Sequence, residues 1–263
     1  MKLAISNIAW DTQDNEQVYA WMKQFDFTGL EIAPTKIFPE HPYDQLEEAA
    51  KWSRELYASH GLVVASMQSI WYGRQEKLFG TAEERKILLE YSKKAVQFAD
   101  AVGCGNLVFG CPRNRQKPDT VPEDVALEFF YTLGEYAKEH GTVIGMEANP
   151  PMYNTNYIND TASALALIEQ VNSRGFRLNL DVGTMIANGE YVGLLLGKVS
   201  YINHVHISEP GLKPIEKRGL HQELMTCLKQ ENYQGFVSIE MGKVNSIELI
   251  SQAQAYLRTV SAK

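Results

Sequence analysis

The sequence predicts a single-domain α/β fold, the (β/α)8 or TIM barrel, spanning residues 1–263. Two observations lead to this prediction: short β-rich segments alternate with segments of helical periodicity, and eight such units fill the chain at about 33 residues each. No Ser/Gly-rich linker or break in composition marks a domain boundary. An open doubly wound sheet would usually need a glycine-rich turn after its first strand, and none is present here.

Eight β-rich segments supply the predicted strands. In chain order they are LAISNI (3–8), GLEIAP (29–34), LVVASMQS (62–69), NLVFG (106–110), VIGMEAN (143–149), FRLNLDVG (176–183), INHVHISE (202–209) and FVSIEM (236–241). Each has the length of a strand, and most are rich in β-branched residues.

The predicted helices lie between these strands. The segment from Thr81 carries an apolar face at helical spacing and opens with a capping box formed by Thr81 and Glu84, and Asp44 with Glu47 repeats the device. Pro122 suits a first helical turn. Glycines are expected to end four helices, at Gly61, Gly103, Gly141 and Gly175. The sixth unit is the weakest, because residues 188–200 leave room only for a short helix.

The composition limits which binding partners and which cellular location we expect. The chain has 25 Lys and Arg against 32 Asp and Glu, a formal net charge of −7, so we expect it to bind neither nucleic acid nor anionic membranes. Three cysteines without metal-type spacing indicate reduced thiols. No apolar run approaches transmembrane length, and the predicted location is the cytoplasm. The sequence leaves open whether the chain forms a homo-oligomer.

Polar side chains stand at the carboxyl ends of the predicted strands, where barrel active sites gather. Alternation turns Glu240 inward, because Val237 and Ile239 occupy the face that meets the helices. The same period places His204 and His206 together on one face of the seventh strand. Four consecutive strands thus aim four side chains at one volume: Glu147, Asp181, His206 and Glu240.

Three carboxylates in a poorly hydrated space repel one another, and a divalent cation resolves this. Three oxygen ligands and one imidazole suit Mn²⁺, Mg²⁺, Co²⁺ or Zn²⁺. The alternative gives each residue a structural partner: Arg177 for Glu147, a helix N-terminus for Asp181 and a backbone carbonyl for His206. His204 lies one pleat deeper and is predicted to support the site from behind.

Six further residues are candidates for substrate binding: Glu31, Gln68, Arg113, Arg115, Asn149 and Glu209. Arg113 and Arg115 could grip a phosphate or carboxylate, because guanidinium presents a rigid fork of donors. The alternative is that both arginines are solvated charges on a surface loop and bind no ligand. For Glu209 the alternative is a salt bridge within its loop, and the amide and carboxyl groups of the other candidates suit sugar hydroxyls.

Four motifs in the order MEANPP, LDVGT, HVHISEPG and GFVSIEM resemble the sugar phosphate isomerase/epimerase group of xylose isomerase-like TIM barrels. The likeness covers essentially the full chain. It implies that Glu147, Asp181, His206 and Glu240 bind one divalent metal, and that the two glutamates are catalytic and move protons. Two positions depart from the group: Thr184 stands where epimerases usually have His, and Ser208 where they often have Asp.

The resemblance implies a metal-dependent isomerase or epimerase that acts on a small carbohydrate, with or without phosphate, or on a hydroxy-keto compound. The proton transfer would pass through an enediolate. Three alternatives remain: an inosose-type dehydratase, a metal- or sugar-binding barrel without activity, and, least favoured, a nuclease of the endonuclease IV type. Thr184 and Ser208 make the inactive barrel credible, and together with the net charge they argue against the nuclease.

Overall fold

A computed structural model of the chain describes residues 1–262 and confirms the predicted (β/α)8 barrel. Eight parallel strands pair in chain order and close into a barrel. The strands are β1 (Lys2–Ser6), β2 (Phe27–Ile32), β3 (Val63–Met67), β4 (Leu107–Phe109), β5 (Ile144–Met146), β6 (Phe176–Asp181), β7 (Ile202–Ser208) and β8 (Phe236–Glu240). Each overlaps one of the segments predicted from the sequence.

Helices connect the strands and cover the outside of the barrel. They are α1 (Asn15–Gln24), α2 (Pro34–Ile37), α3 (Leu46–His60), α4 (Ala82–Val102), α5 (Asp124–Glu139), α6 (Thr161–Val171), α7 (Val182–Asn188), α8 (Gly219–Gln230) and α9 (Glu248–Ala262). The sixth unit has the short helix that the sequence indicated, α7, followed by two 3-10 turns. Apolar faces of the strands and helices form one continuous core.

Strand register sets the height of the candidate site. Asp181 on β6 is level with His206 on β7. Two residues further along β7, Ser208 is level with Glu240 on β8. The carboxyl ends of three neighbouring strands therefore place these side chains in adjacent layers of the barrel interior.

The start of α4 was predicted correctly, and the start of α3 was not. Thr81 and Glu84 form the expected capping box, with Glu84 Oε2 accepting from the Thr81 backbone N–H at 2.8 Å. At α3, the helix begins one residue after Gln45, and Asp44 lies in a 3-10 turn before it. The Asp44 carboxylate pairs with Lys94 on α4 at 2.7 Å, instead of accepting a hydrogen bond from the backbone at the start of α3.

The glycine predictions hold at three helix ends and fail at the fourth. Gly61 and Gly103 cap their helices in the left-handed conformation, and Gly141 has φ of +69° just after α5. In contrast, Asn172 ends α6, and Gly175 lies beyond it. A Cβ at Gly175 would lie 1.9 Å from the Gly134 carbonyl oxygen, so this glycine permits α5 to approach the start of β6.

Within residues 1–262, no helix has both the length and the apolar composition needed to cross a membrane.

Candidate metal centre and substrate cavity

The structure brings together the four side chains that the strand positions predicted. Glu147, Asp181, His206 and Glu240 each offer one ligand atom, and these atoms all lie within 4.8 Å of one another. His206 Nδ1 is 2.9 Å from Glu147 Oε1 and 3.3 Å from Glu240 Oε2. His206 is fully buried, and both glutamates are 8% exposed, so the cluster is shielded but still reachable from the barrel mouth.

The imidazole of His206 is held from behind by Glu31. His206 Nε2 lies 2.8 Å from Glu31 Oε2, on the opposite side of the ring from the carboxylate cluster. His204 Nε2 lies 3.0 Å from the same oxygen but is not aligned for a hydrogen bond, and burial lowers the pKa of His204. His204 therefore lies behind the cluster, and its Nε2 shares the Glu31 oxygen with His206 Nε2.

Two amides orient the Glu147 carboxylate. Asn179 Nδ2 donates to Oε1 at 2.8 Å, and Asn149 Nδ2 donates to Oε2 at 3.1 Å. A Cβ at Gly110 would lie 2.9 Å from the same Oε2, so the lack of a side chain there leaves room for the carboxylate. Its predicted structural partner, Arg177, instead packs over the ring of Tyr201.

Asp181 receives hydrogen bonds from the two hydroxyl residues that depart from the family pattern. Ser208 Oγ donates to Oδ1, and the Thr184 hydroxyl and backbone N–H each lie 2.8 Å from Oδ2. Asp181 also caps the N-terminus of α7 through that N–H, as the structural alternative foresaw. The cap and the cluster coexist, because one carboxylate serves both.

Burial and mutual repulsion change the protonation of the cluster when no cation is present. Burial raises the pKa of Glu240 to about 7; His206 opposes this shift, and Glu147 and Asp181 add to it. Burial also raises the pKa of Asp181, and Glu147 adds to that shift. For His206 burial acts in the other direction, but Glu240 and Glu31 raise its pKa well above the usual range. The site is therefore short of positive charge.

A cavity of about 160 Å³ lies over the cluster. Glu147, Asp181 and Glu240 form its floor, and Gln68 and Asn149 line its wall. Tyr153 also lines it and accepts a hydrogen bond from the Gly211 backbone N–H at 2.8 Å, which fastens two loops across the mouth. We call this space the inner cavity.

The structure separates the six predicted substrate-binding residues into three groups. Gln68, Asn149 and Glu209 line the inner cavity, although the Glu209 carboxylate pairs with Arg218 at 2.6 Å, as the salt-bridge alternative foresaw. Arg113 lies further out, at the surface.

Glu31 and Arg115 form the third group, because both are 0% exposed and neither lines the inner cavity. Glu31 lies behind His206. Arg115 donates to the Glu147 carbonyl and the Asn149 side chain, each at 2.9 Å. In this structure both residues support other residues of the site.

The sequence reasoning missed Asn179 and the joint role of Ser208 and Thr184. Alternation along β6 places Asn179 on the same face as Asp181, but an amide beside three carboxylates carries no distinct signal of a site. Ser208 and Thr184 were noted only as departures from a pattern. Both hydroxyls contact Asp181, and this shared contact follows from the pairing of β6 with β7.

The residues present fit a divalent cation. They supply three carboxylates and one imidazole from the ends of four neighbouring strands, with the ligand atoms within 4.8 Å of one another. This donor set suits Mn²⁺, Mg²⁺, Co²⁺ or Zn²⁺. The hydrogen bond from Nε2 to Glu31 leaves Nδ1 as the ring nitrogen that faces the carboxylates, an arrangement typical of metal-binding histidines.

Comparison with known proteins agrees with the fold. The family model of the xylose isomerase-like TIM barrel matches residues 19–260. No curated protein sequence matches the chain.

Three of the similar solved structures illustrate the range of names attached to this fold. A 3-keto-D-glucoside 4-epimerase from E. coli has 20% sequence identity and a TM-score of 0.76, with 98% of this chain and 99% of that chain covered. A D-psicose 3-epimerase with D-tagatose from Clostridium cellulolyticum H10 has 15% identity and a TM-score of 0.77, covering 100% and 98%. An AP endonuclease, family 2, from Brucella melitensis has 18% identity and a TM-score of 0.71, covering 98% and 99%.

Proposed function

Because the chain belongs to the xylose isomerase-like TIM barrel family, we propose that it is a divalent-metal-dependent isomerase or epimerase of a small sugar or hydroxy-keto compound. One observation carries the proposal. The ligand atoms of Glu147, Asp181, His206 and Glu240 converge within 4.8 Å, and the three carboxylate residues line the inner cavity. The epimerase names of two structurally similar proteins point in the same direction.

In this proposal the four converging side chains hold the metal, and two of them also move protons. A bound divalent cation would polarise the substrate carbonyl and stabilise the negative charge of an enediolate. Glu147 and Glu240 both line the inner cavity, from strands that are not neighbours in the barrel. One carboxylate can therefore remove a proton from a carbon atom while the other returns a proton.

Other groups hold these two carboxylates and the substrate in place. Asn179 and Asn149 fix the Glu147 carboxylate by donating to both of its oxygens. Gln68 and Asn149 face the inner cavity with amide groups that suit sugar hydroxyls. A substrate that fills so small a cavity would displace most of its water, which would otherwise compete for the reacting protons.

The test is deuterium exchange from D2O into a panel of ketoses and hydroxy-ketones, using protein loaded with Mn²⁺. We expect incorporation next to the carbonyl without loss of water from the substrate. Replacing Glu147→Gln or Glu240→Gln should lower the rate by at least about 100-fold. The matched control is Glu55→Gln, an exposed glutamate of α3, which should exchange at the wild-type rate.

Other outcomes would redirect the proposal. Loss of water after proton removal would identify a dehydratase of the inosose type. Tight metal binding without exchange in any substrate would favour a binding barrel, which Thr184 and Ser208 make worth testing. An unchanged rate in either glutamate variant would remove that residue from the chemistry, and a protein that binds no divalent metal would overturn the proposal.

A further inference from the structure

A second, larger space continues outward from the inner cavity. This outer groove has a volume of about 750 Å³ and shares four lining residues with the inner cavity, namely Ser69, Cys111, Pro112 and Leu212. Small-molecule sites usually have volumes of about 300–1,000 Å³, so the inner cavity of about 160 Å³ is small for a complete ligand. A substrate whose reacting carbons enter the inner cavity has room for its remaining atoms in the outer groove.

The two spaces have opposite charge. The inner cavity is lined by four carboxylate residues and by no Lys, Arg or His among residues 1–262. The outer groove is lined by Arg74, Lys77 and Arg113 and, in the same described range, by no Asp or Glu. This segregation occurs in a chain with a net charge of −7, so the cations at the groove are a local exception.

Two of the three groove cations have no carboxylate partner. Arg74 is neutralised by a salt bridge with Glu76. Lys77 Nζ donates to the Arg113 carbonyl oxygen at 2.7 Å, a contact that leaves its charge uncompensated. Among the ion pairs of residues 1–262, none involves Lys77 or Arg113. Both side chains are solvent-exposed at the rim of the groove.

The loops that carry these cations are fastened together by buried groups. The Asn114 amide donates to the carbonyl oxygens of Arg74 and Glu76, at 3.1 Å and 2.8 Å. The Asn114 carbonyl in turn accepts from the Leu78 backbone N–H at 2.8 Å. Asn114 is 6% exposed, so these bonds are protected from water and the loop after β3 is fixed against the loop after β4.

The next residue, Arg115, connects the outer groove to the floor of the inner cavity. Arg115 is fully buried and donates to the Glu147 carbonyl and the Asn149 side chain, each at 2.9 Å. Within the sequence PRNR, Arg113 thus reaches outward, Asn114 holds the neighbouring loop, and Arg115 is bonded to the residues beneath the inner cavity. The rim cations are therefore carried by a loop that is anchored to the candidate catalytic residues, which is the preorganisation a specific site requires.

We propose that the substrate carries an anionic group, a phosphate monoester or a carboxylate, which Lys77 and Arg113 bind in the outer groove while its hydroxy-keto end occupies the inner cavity. This assignment rests on the proposed function and names its substrate class. Guanidinium and ammonium groups form charge-assisted hydrogen bonds with either anion. The carboxylates of the inner cavity repel the same group and so fix the direction in which the substrate enters.

The experiment is calorimetric titration of Mn²⁺-loaded protein with three probes: D-fructose, D-fructose 6-phosphate and 5-keto-D-gluconate. We expect at least one charged probe to bind about tenfold or more tightly than fructose. The difference should shrink when the ionic strength is raised from about 0.01 to about 0.15 M, because both cations are exposed. The two charged probes distinguish a phosphate from a carboxylate as the natural group.

Variants test whether the outer groove causes the tighter binding of the charged probes. Arg113→Gln should reduce it, and the double variant with Lys77→Gln should bring the charged probes down to the affinity of fructose. The matched control is Lys51→Gln with Arg54→Gln, two exposed cations on α3 that lie outside both spaces and should retain the wild-type preference. Thermal unfolding of each variant checks that the fold persists.

Equal affinity for charged and uncharged probes, or no measurable binding of the charged ones, would overturn this inference. So would a preference that survives in the double variant. A protein that binds Mn²⁺ but shows no anion preference would leave the proposed function standing. If the protein binds no Mn²⁺, the proposed function fails, and the same titrations of metal-free protein still decide the anion preference.

Discussion

Glu31 holds the far side of the imidazole of His206, with 2.8 Å between Glu31 Oε2 and His206 Nε2. The other ring nitrogen, Nδ1, faces Glu147 and Glu240. A carboxylate at Nε2 favours a proton on that nitrogen, which leaves the Nδ1 lone pair for a metal when one is bound. One ring thus links a fully buried acid on β2 to the proposed metal ligands on β5 and β8.

The first prediction concerns this contact. Glu31→Gln should weaken Mn²⁺ binding by about 10–100-fold, because a neutral amide neither orients the His206 ring as firmly nor raises the basicity of Nδ1. The dissociation constant, measured by calorimetric titration with Mn²⁺, checks the prediction. Glu55→Gln serves as the control, since its carboxylate is exposed on α3. An unchanged dissociation constant would remove Glu31 from the support of the site.

The second prediction concerns the hydroxyls around Asp181. Ser208→Ala removes the hydrogen bond to Asp181 Oδ1 and leaves the Gly183 N–H without the acceptor it has at 2.8 Å. We expect about tenfold weaker Mn²⁺ binding, because Asp181 Oδ1 loses its hydrogen bond and Thr184 then holds the carboxylate through Oδ2 alone.

A matched control is Ser238→Ala. Ser238 is fully buried in the neighbouring strand, but its hydroxyl has no hydrogen-bond partner within residues 1–262. Removing this hydroxyl should leave the metal affinity unchanged. Equal affinities in the Ser208→Ala and Ser238→Ala variants would show that the Ser208 hydroxyl does not position Asp181.

Sequence periodicity was enough to predict the barrel, because alternation along each strand is a local property. Strand ends were less predictable. The fifth strand was expected over residues 143–149, but the structure ends it at Met146. Beyond that point Asn149 takes its backbone partner from Ile158 in the following loop rather than from a neighbouring strand. Tertiary contacts at the mouth of the barrel therefore decide where the backbone pairing of β5 ends.

The site was predictable to the extent that it depends on strand position. Glu147, Asp181, His206 and Glu240 follow from inward alternation on successive strands. The contacts of Glu31 were not predictable, because its neighbours, His204 and His206, are more than 170 residues away in the chain and meet it only across the barrel. Arg113 and Arg115 differ in role because Arg113 lies within a 3-10 turn, Pro112–Asn114, and Arg115 caps its end, and sequence spacing does not encode that turn.

The third prediction concerns packing between α5 and the start of β6. Gly175→Ala would place a Cβ 1.9 Å from the Gly134 carbonyl oxygen, a backbone atom that cannot move aside without shifting the helix. Overpacking of this kind typically costs about 1–3 kcal/mol of unfolding free energy. Urea denaturation measures the loss. Gly105→Ala is the control, because a Cβ there meets nothing within 4 Å, and equal stability of the two variants would contradict the close approach.

The fourth prediction concerns acid stability and His221 on α8. Its ring is fully buried, with Nδ1 3.0 Å from the Tyr256 hydroxyl. Burial lowers the pKa of His221 to about 4; Glu209 opposes this shift, and Arg218 adds to it. A histidine in the unfolded chain has a pKa of about 6.5. Between these values the unfolded chain takes up a proton that the folded protein does not, so stability is full above about pH 6.5 and falls as the pH drops toward 4.

The change His221→Gln removes this titration while keeping a polar group for Tyr256. Wild-type protein should lose about 2 kcal/mol more unfolding free energy than the variant between pH 7.5 and pH 5, because each pH unit below the unfolded pKa contributes up to about 1.4 kcal/mol. Urea denaturation at the two pH values measures the difference. His41→Asn, at an exposed position with φ of +46° that asparagine tolerates, should keep the wild-type pH dependence. Parallel pH dependence in wild type and His221→Gln would mean that His221 titrates alike in the folded and unfolded states.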